Sequence, residues 1–192
     1  MTQLLSIEAF ILAGGKSSRM GSDKGLLSVN GMTMTEHLIK TLNQLEIKTN
    51  IISGNKAYQQ FGLTVVPDVI PDKGPLGGLY TALKRTRAQS VLLLSCDMPF
   101  IGVDTLQYLL LNSSSQNITV FKNNEYLQPM PGRYPASAEH LVYQSIIRSE
   151  LKLSKWLSEQ NPTTLAVPAN IKPGEFLNLN SQRDLDDLAA QS

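Results

Sequence analysis

The sequence predicts an α/β fold with a mostly parallel central sheet, and three observations predict it. Short apolar runs alternate with stretches of helical periodicity along most of the chain. The run Val91 to Ser95 is apolar throughout up to its terminal serine, the pattern of a strand buried on both faces of a parallel sheet. The first run, Ile7 to Leu12, ends directly on Gly14-Gly15, so a flexible loop follows a buried strand.

The elements follow in order. Ile7 to Leu12 is the first strand. Thr33-Met34-Thr35-Glu36 has the form of a capping box, a hydroxyl followed three residues later by Glu. Leu38, Leu42 and Leu45 then share one helical face, which carries a helix to about Leu45. Ile47 to Ser53 is a second strand, closed by Gly54-Asn55. Lys56 to Phe61 is a short helix, and Leu63 to Val66 a third strand stopped by Pro67. Gly74 to Gly78 opens a helix running to about Arg87, with Pro75 suited to its first turn. Val91 to Ser95 is the next strand, Asp104 to Leu111 a helix and Asn112 to Asn117 a polar loop. Ile118 to Phe121 and Tyr126 to Leu127 flank Asn123-Asn124 as a hairpin. Ser137 to Arg148 and Ser154 to Glu159 read as helices, Thr163 to Val167 as a late strand and Ser181 to Ala190 as a terminal helix. The stretch from Asn123 to Asn161 breaks the alternation and is expected to form a lid or a substrate-side insertion. The whole of 1–192 is expected to be one domain.

Composition narrows the function. The chain has 192 residues with 17 Lys+Arg against 16 Asp+Glu, a net charge of +1, which provides no electrostatic footprint for nucleic acid or an anionic membrane. With 42% hydrophobic residues the chain can build a core without staples. One cysteine, Cys96, excludes an internal disulfide and a Cys-based zinc site. The two histidines, His37 and His140, lie in helical patterns with Trp156 and read as packing or surface residues. No uncharged apolar run approaches the ~18 residues of a membrane span, and the segment before Gly14 lacks a basic leader. A cytoplasmic protein is expected.

In a parallel α/β sheet, ligands bind beyond the carboxyl ends of the strands. That rule selects the loops after Leu12, after Val66 and after Ser95. The first runs Leu12-Ala13-Gly14-Gly15-Lys16-Ser17-Ser18-Arg19-Met20-Gly21-Ser22-Asp23-Lys24. Its glycines let backbone N–H groups approach an anion, and Lys16, Arg19 and Lys24 add three cations against one Asp. A triphosphate needs that combination, although the spacing matches neither standard nucleotide loop and a solvated loop would share the composition. The third loop, Ser95-Cys96-Asp97-Met98-Pro99, sets a carboxylate at the rim of the sheet. Asp97 suits Mg²⁺, which takes one or two carboxylates plus phosphates and waters; capping the turn before Pro99 is the other reading. Asp68 and Gly74-Pro75-Leu76-Gly77-Gly78 occupy the second loop, either against the nucleotide or as the start of a helix. Asn178-Leu179-Asn180, in a strand, would turn both amides to one side; a helix N-cap at Asn180 or Ser181 is the alternative. Cys96 reads as a small buried residue, since no histidine adjoins it.

The sequence from Leu12 to Lys24 resembles the signature of the nucleotidyltransferases with a Rossmann-like, GT-A-like fold, a doubly wound three-layer sandwich. Within them it is most similar to the molybdenum cofactor guanylyltransferases. The matches continue through Asp68, Gly74-Pro75-Leu76 with Gly78, Cys96-Asp97-Met98-Pro99-Phe100-Ile101, Gln128-Pro129 with Pro131-Gly132 and Tyr134, and Asn178 with Asn180 before Asp184-Leu185. Ser53 stands where that family often has Asn, with Asn55 two residues on, Gly77 replaces a common Ala, and Ser181-Gln182 lacks the usual Thr-Pro.

The resemblance implies transfer of GMP from GTP to the terminal phosphate of molybdopterin, with Mg²⁺ as cofactor and pyrophosphate as product. It implies that Leu12, Ala13 and Gly14 hold the guanosine side through backbone groups, with Ser53 and Gly78 among the nucleotide-binding residues. Gly15, Arg19 and Lys24 engage the phosphates, Asp68 lies by the nucleotide, Asp97 binds metal and nucleotide, and Asn178 and Asn180 face the pterin. Arg19, Lys24 and Asp97 are the catalytic set. Partners would be GTP, molybdopterin and other proteins that make or deliver this cofactor. Relatives that transfer CMP usually carry Leu-Ala-Ala-Gly in place of Leu12-Ala13-Gly14-Gly15, and the extra room at Gly14 favours a purine. A cytidylyltransferase acting on molybdopterin or a sugar or polyol phosphate, and a non-catalytic adaptor, are the competing readings.

Overall fold

The computed structural model describes residues 7–14, 23–123, 126–179 and 184. The predicted terminal helix lies outside them apart from Asp184, which is helical. The strands are β1 (Ile7–Leu12), β2 (Ser28–Val29), β3 (Met32–Thr33), β4 (Thr49–Ile52), β5 (Thr64–Val66), β6 (Ser90–Ser95), β7 (Thr119–Asn123), β8 (Tyr126–Pro135) and β9 (Thr163–Ala166). The helices are α1 (Met34–Gln44), α2 (Gly74–Arg85), α3 (Val103–Leu111), α4 (Glu139–Ile147) and α5 (Leu153–Glu159). Short 3₁₀ turns stand at Lys24–Leu26, Lys56–Phe61, Ala136–Ala138 and Pro173–Phe176, so the predicted helix over Lys56 to Phe61 is the tighter form.

Seven strands make one sheet in the order β5-β4-β1-β6-β8-β7-β9. β5, β4, β1 and β6 are parallel, β7 and β9 pair in parallel, and β8 runs antiparallel between β6 and β7. The chain leaves β1 for one side of the sheet through β4 and β5 and returns to the other side at β6, which makes the β1/β6 boundary the switch point of the doubly wound sheet.

Successive strand residues face opposite layers, which is why β1 and β6 are apolar on both faces apart from Glu8 and the serines that end β6. Ala9 and Ile11 with Leu92 and Leu94 face Leu38 and Leu42 of α1 and Leu106 and Leu109 of α3. Phe10 with Val91 and Leu93 faces Leu76 and Leu79 of α2, Val142 of α4 and Trp156 of α5. The result is three layers, helix, sheet and helix. Among the described residues no helix is long and apolar enough to cross a membrane.

The predicted capping box is formed: the Thr33 N–H donates to Glu36 Oε2 at 2.6 Å and the Glu36 N–H to Thr33 Oγ1 at 3.2 Å. Pro75 occupies the first turn of α2, after Gly74 at φ +59°.

Three readings are corrected. No strand was expected at Ser28 to Thr33, yet β2 and β3 pair there across Asn30 and Gly31, at φ 52° and 81°. That pair is the usual signal for a two-residue hairpin turn. The second arm of the hairpin after Ile118 was expected to stop at Leu127, yet β8 continues to Pro135. Its prolines argue against an inner strand, because proline cannot donate to a ladder. The register resolves this: Val120 pairs with Gly132 and Phe121 with Gln128, so Pro129, Met130 and Pro131 stand in a bulge and owe no ladder bonds. Finally, no strand forms at Asn178 and Leu179.

Candidate active site

The sheet register sets the loops of the site side by side. Leu12 of β1 pairs with Ile52 of β4 and Ser95 of β6, while Ile52 pairs with Val66 of β5. The residues that follow these four strand ends, Gly14, Ser53, Asp68 and Asp97, therefore line one edge of the sheet. Hydrogen bonds carry the ladder into the loops: Ala13 N–H to the Ile52 carbonyl (2.9 Å), Ser53 N–H to that of Val66 (2.9 Å) and Cys96 N–H to that of Leu12 (3.0 Å).

Gly14 is exposed, and a β-carbon there would lie 3.7 Å from Ser53 Oγ, an ordinary contact. Among the described residues only Ser53 comes within ordinary contact distance of that side of the glycine. Ser53 is buried and its hydroxyl accepts the Asn55 N–H at 3.1 Å. Gly78 has a packing reason: a β-carbon there would stand 2.7 Å from Leu12 Cδ2, so α2 lies close on the end of β1 because position 78 has no side chain. Gly15, Arg19 and Asn180 lie outside the described residues.

Asp97 follows β6. Its Oδ1 is buried and has no hydrogen-bond partner. The turn-capping alternative thus finds no support at that oxygen. A buried carboxylate oxygen without a donor is costly unless a cation or a ligand donor meets it. The residue fits Mg²⁺ on this count. Among the described residues no three His, Cys, Asp or Glu cluster as a metal site, and an ion held by one carboxylate needs phosphate oxygens to complete its shell.

Asp68 is an exposed residue whose carboxylate reaches Thr81 of α2. The Thr81 hydroxyl accepts the Val69 N–H at 2.9 Å and can donate to Asp68 Oδ1 (3.3 Å) or to the Gly77 carbonyl (2.9 Å). Desolvation pushes the Asp68 carboxyl above the usual carboxylate range, against the opposing effect of the Thr81 bond. Burial, reinforced by the Asp97 and Asp23 carboxylates, pushes the buried Cys96 thiol up to about 12. A thiol held protonated in this way is no nucleophile.

The residue before Lys24 is held by a clamp that sequence reasoning missed. That residue, Asp23, caps the 3₁₀ turn at Lys24–Leu26, accepting the Gly25 N–H at 3.3 Å. It also accepts hydrogen bonds from the buried Tyr58 hydroxyl and from Asn55 Nδ2, the latter at 3.1 Å. Asn55 Oδ1 in turn caps the turn that carries Tyr58, accepting from the Ala57 N–H at 2.9 Å. The only sequence signal was Asn55 as a cap residue before Lys56. Gly25 is buried beneath the clamp, where a β-carbon would stand 2.7 Å from Thr35 Oγ1 and closer still to the Tyr58 hydroxyl.

The C-terminal segment reaches the same edge. The Leu179 N–H donates to the Asp97 carbonyl at 2.8 Å, and the Leu179 side chain is buried with Val29 and Met34, against Phe100. Asn178, beside it, is exposed. His37 supports this corner, with Nε2 2.8 Å from the Val29 carbonyl and its ring edge-on to Phe100, so its role is packing.

At the switch point of this parallel sheet stand Gly14, the clamped Asp23 beside Lys24, and Asp97; together with the fold and the relatives that follow, they place the chain in the nucleotidyltransferase class. The chain belongs to the MobA-like NTP transferase family, whose model matches residues 9–163. It is 35% identical over 187 residues to a Flavobacterium johnsoniae protein named probable molybdenum cofactor guanylyltransferase, covering 95% of this chain and 96% of that one. It is 31% identical to a molybdenum cofactor guanylyltransferase of a Shewanella species (strain MR-4), covering 97% of each. Among solved structures, the molybdopterin-guanine dinucleotide biosynthesis protein A of Archaeoglobus fulgidus superposes with a TM-score of 0.81 at 19% identity, over 96% of this chain and 100% of that one, and so shares the fold.

Proposed function

We propose that this protein transfers GMP from GTP to the terminal phosphate of molybdopterin, giving molybdopterin guanine dinucleotide and pyrophosphate. The observation that carries this reading is the placement of Gly14 and of Asp97, with its unpartnered buried oxygen, at the ends of the adjacent strands β1 and β6, with the Asn178-Leu179 segment bonded to the Asp97 carbonyl. The names of the relatives supply the acceptor.

An oxygen of the acceptor phosphate attacks the α-phosphorus of GTP in line with the bond to the β-phosphate. One oxygen–phosphorus bond forms, the α–β anhydride breaks, and pyrophosphate leaves with the electron pair. No protein nucleophile takes part, which agrees with the protonated, buried Cys96. The protein's work is positioning and electrostatics. Backbone groups at Leu12, Ala13 and Gly14 bind the nucleoside, with Ser53, Asp68 and Gly78 along the same wall. Gly15 belongs to the phosphate loop. Lys24, next to the clamped Asp23, meets the α-phosphate, and Arg19 balances charge on the departing phosphates. Asp97 would hold Mg²⁺, which would supply positive charge against the phosphoryl oxygens. Asn178 and Asn180 meet the pterin.

The test is release of pyrophosphate from Mg²⁺-GTP on addition of molybdopterin, with CTP, ATP and UTP in parallel. Release with GTP alone is the expected result. Release with CTP alone makes the protein a cytidylyltransferase, and binding without release makes it an adaptor.

A further inference from the structure

A carboxylate outside the nucleotide motifs brings the C-terminal segment to the site. Glu175 lies in the 3₁₀ turn Pro173–Phe176. Its Oε2 accepts the Gly102 N–H at 2.7 Å and the Thr105 hydroxyl at 2.5 Å, at the start of α3. A helix begins with unsatisfied N–H groups and a partial positive charge, and it draws an acidic or hydroxyl cap. α3 has glycine at that position and no cap of its own, and Glu175 arrives from 73 residues away to supply one. The fit is reciprocal: a β-carbon on Gly102 would stand 3.0 Å from Glu175 Oε2 and 3.2 Å from its carboxyl carbon.

The residues after Glu175 are held at intervals. Phe176 meets Phe121 edge-on, with ring centroids 5.2 Å apart. Leu179 is buried and bonded through its N–H to the Asp97 carbonyl at 2.8 Å. Between these anchors Leu177 and Asn178 are exposed. The segment thus runs from the cap of α3 to the loop of the acidic rim residue, with Asn178 presented in between.

We propose that Glu175 is a positioning residue for the acceptor side of the reaction. By capping α3 it sets where the strap 176–179 starts, and hence how Asn178 stands relative to Asp97. This rests on the reading above, in which Asn178 meets the acceptor. Without the cap, the strap loses its near tether at α3 and the bond of the Leu179 N–H to the Asp97 carbonyl loosens with it, and a misplacement of ~1 Å in a reacting assembly costs on the order of 10²-fold in rate.

The experiment compares wild type with Glu175→Ala, Glu175→Gln and Thr105→Val. The first readout is hydrogen exchange at the Leu179 amide, which needs no substrate. Exchange is expected to be slow in wild type, fast in Glu175→Ala, intermediate in Thr105→Val and near wild type in Glu175→Gln, whose amide oxygen still accepts both bonds. The second readout is steady-state kinetics: in Glu175→Ala the KM for molybdopterin rises by about tenfold or more while the KM for GTP stays put, since the nucleotide wall is untouched. Equal protection of Leu179 in Glu175→Ala and wild type overturns the proposal, as does a parallel rise of both KM values. Absence of any transfer by the wild type overturns the guanylyltransferase reading instead, and the exchange measurement then still decides whether Glu175 anchors the strap.

Discussion

The Tyr134 hydroxyl donates to the Pro129 carbonyl at 2.7 Å, spanning the bulge of β8. Gly132 lies within this turn of chain, and a β-carbon there would stand 2.5 Å from the same carbonyl, 2.9 Å from the Tyr134 ring and 3.0 Å from Val120. Tyr134 is fully buried, so neither the ring nor the backbone has room to yield. Gly132→Ala is therefore expected to cost about 1–3 kcal/mol, the scale of overpacking a core. Urea denaturation measures this directly, and an unchanged midpoint at an unchanged slope would contradict it.

Gly14 is the opposite case. Among the described residues its missing β-carbon faces only Ser53, at 3.7 Å or more. Gly14→Ala is expected to leave stability within about 0.5 kcal/mol, as for a surface change. On the proposed reading the added methyl narrows the room for a purine base, so the kcat/KM ratio of GTP to CTP should fall. Kinetics with both nucleotides test this; an unchanged ratio would remove position 14 from base choice.

Asp68 gives a dependence on pH. Desolvation raises its folded-state pKa above the unfolded value, so the folded protein holds the proton more tightly. The associated stability is present below the unfolded carboxylate pKa and is lost as pH rises through the raised folded value. Asp68→Asn keeps an oxygen for the Thr81 hydroxyl without the charge. It should melt higher than wild type at neutral pH, with the gap closing toward about pH 3, where the wild-type carboxyl is protonated in both states. Melting curves across that range settle the sign. On the proposed reading, in which Asp68 faces the nucleotide, the variant should also gain less stability from GTP than wild type does.

Asp97 and Lys24 separate stability from activity. Asp97 Oδ1 is buried without a donor, so Asp97→Ala relieves an unsatisfied group and should not lower the melting temperature in metal-free buffer. Turnover should fall by at least ~10²-fold, the scale for removing one charge-stabilising group, and likewise for Lys24→Ala. Near-normal pyrophosphate release by either variant would take that residue out of the catalytic set.

The alternating pattern was legible because each strand carries its own burial record. The mostly apolar runs at Ile7–Leu12 and Ser90–Ser95 face helices on both sides, and an unbroken stretch such as Val91 to Leu94 suits a strand covered on both faces. The Thr33–Glu36 capping box and Pro75 at the start of α2 could be read because their partners are three or fewer residues away. β8 was not legible beyond Leu127, since its prolines become admissible only opposite the register shift at Val120 and Phe121. The clamp of Asp23 by Tyr58 joins residues 35 apart in the chain, and the cap of α3 by Glu175 joins residues 73 apart.

The chain by itself determined the α/β class, the three loops at the carboxyl ends of the strands and the residue types able to carry phosphate chemistry. Those features are written in local periodicity and in adjacent residues, whose interactions do not depend on the rest of the fold. Only the tertiary structure decided that Asp97 keeps a buried oxygen without a donor, that Tyr58 holds Asp23 beside Lys24, and that Glu175 and Leu179 bring Asn178 to the rim. Each of these is a relation between segments far apart in sequence, and it exists only once packing of the sheet and its two helical layers has fixed where those segments meet.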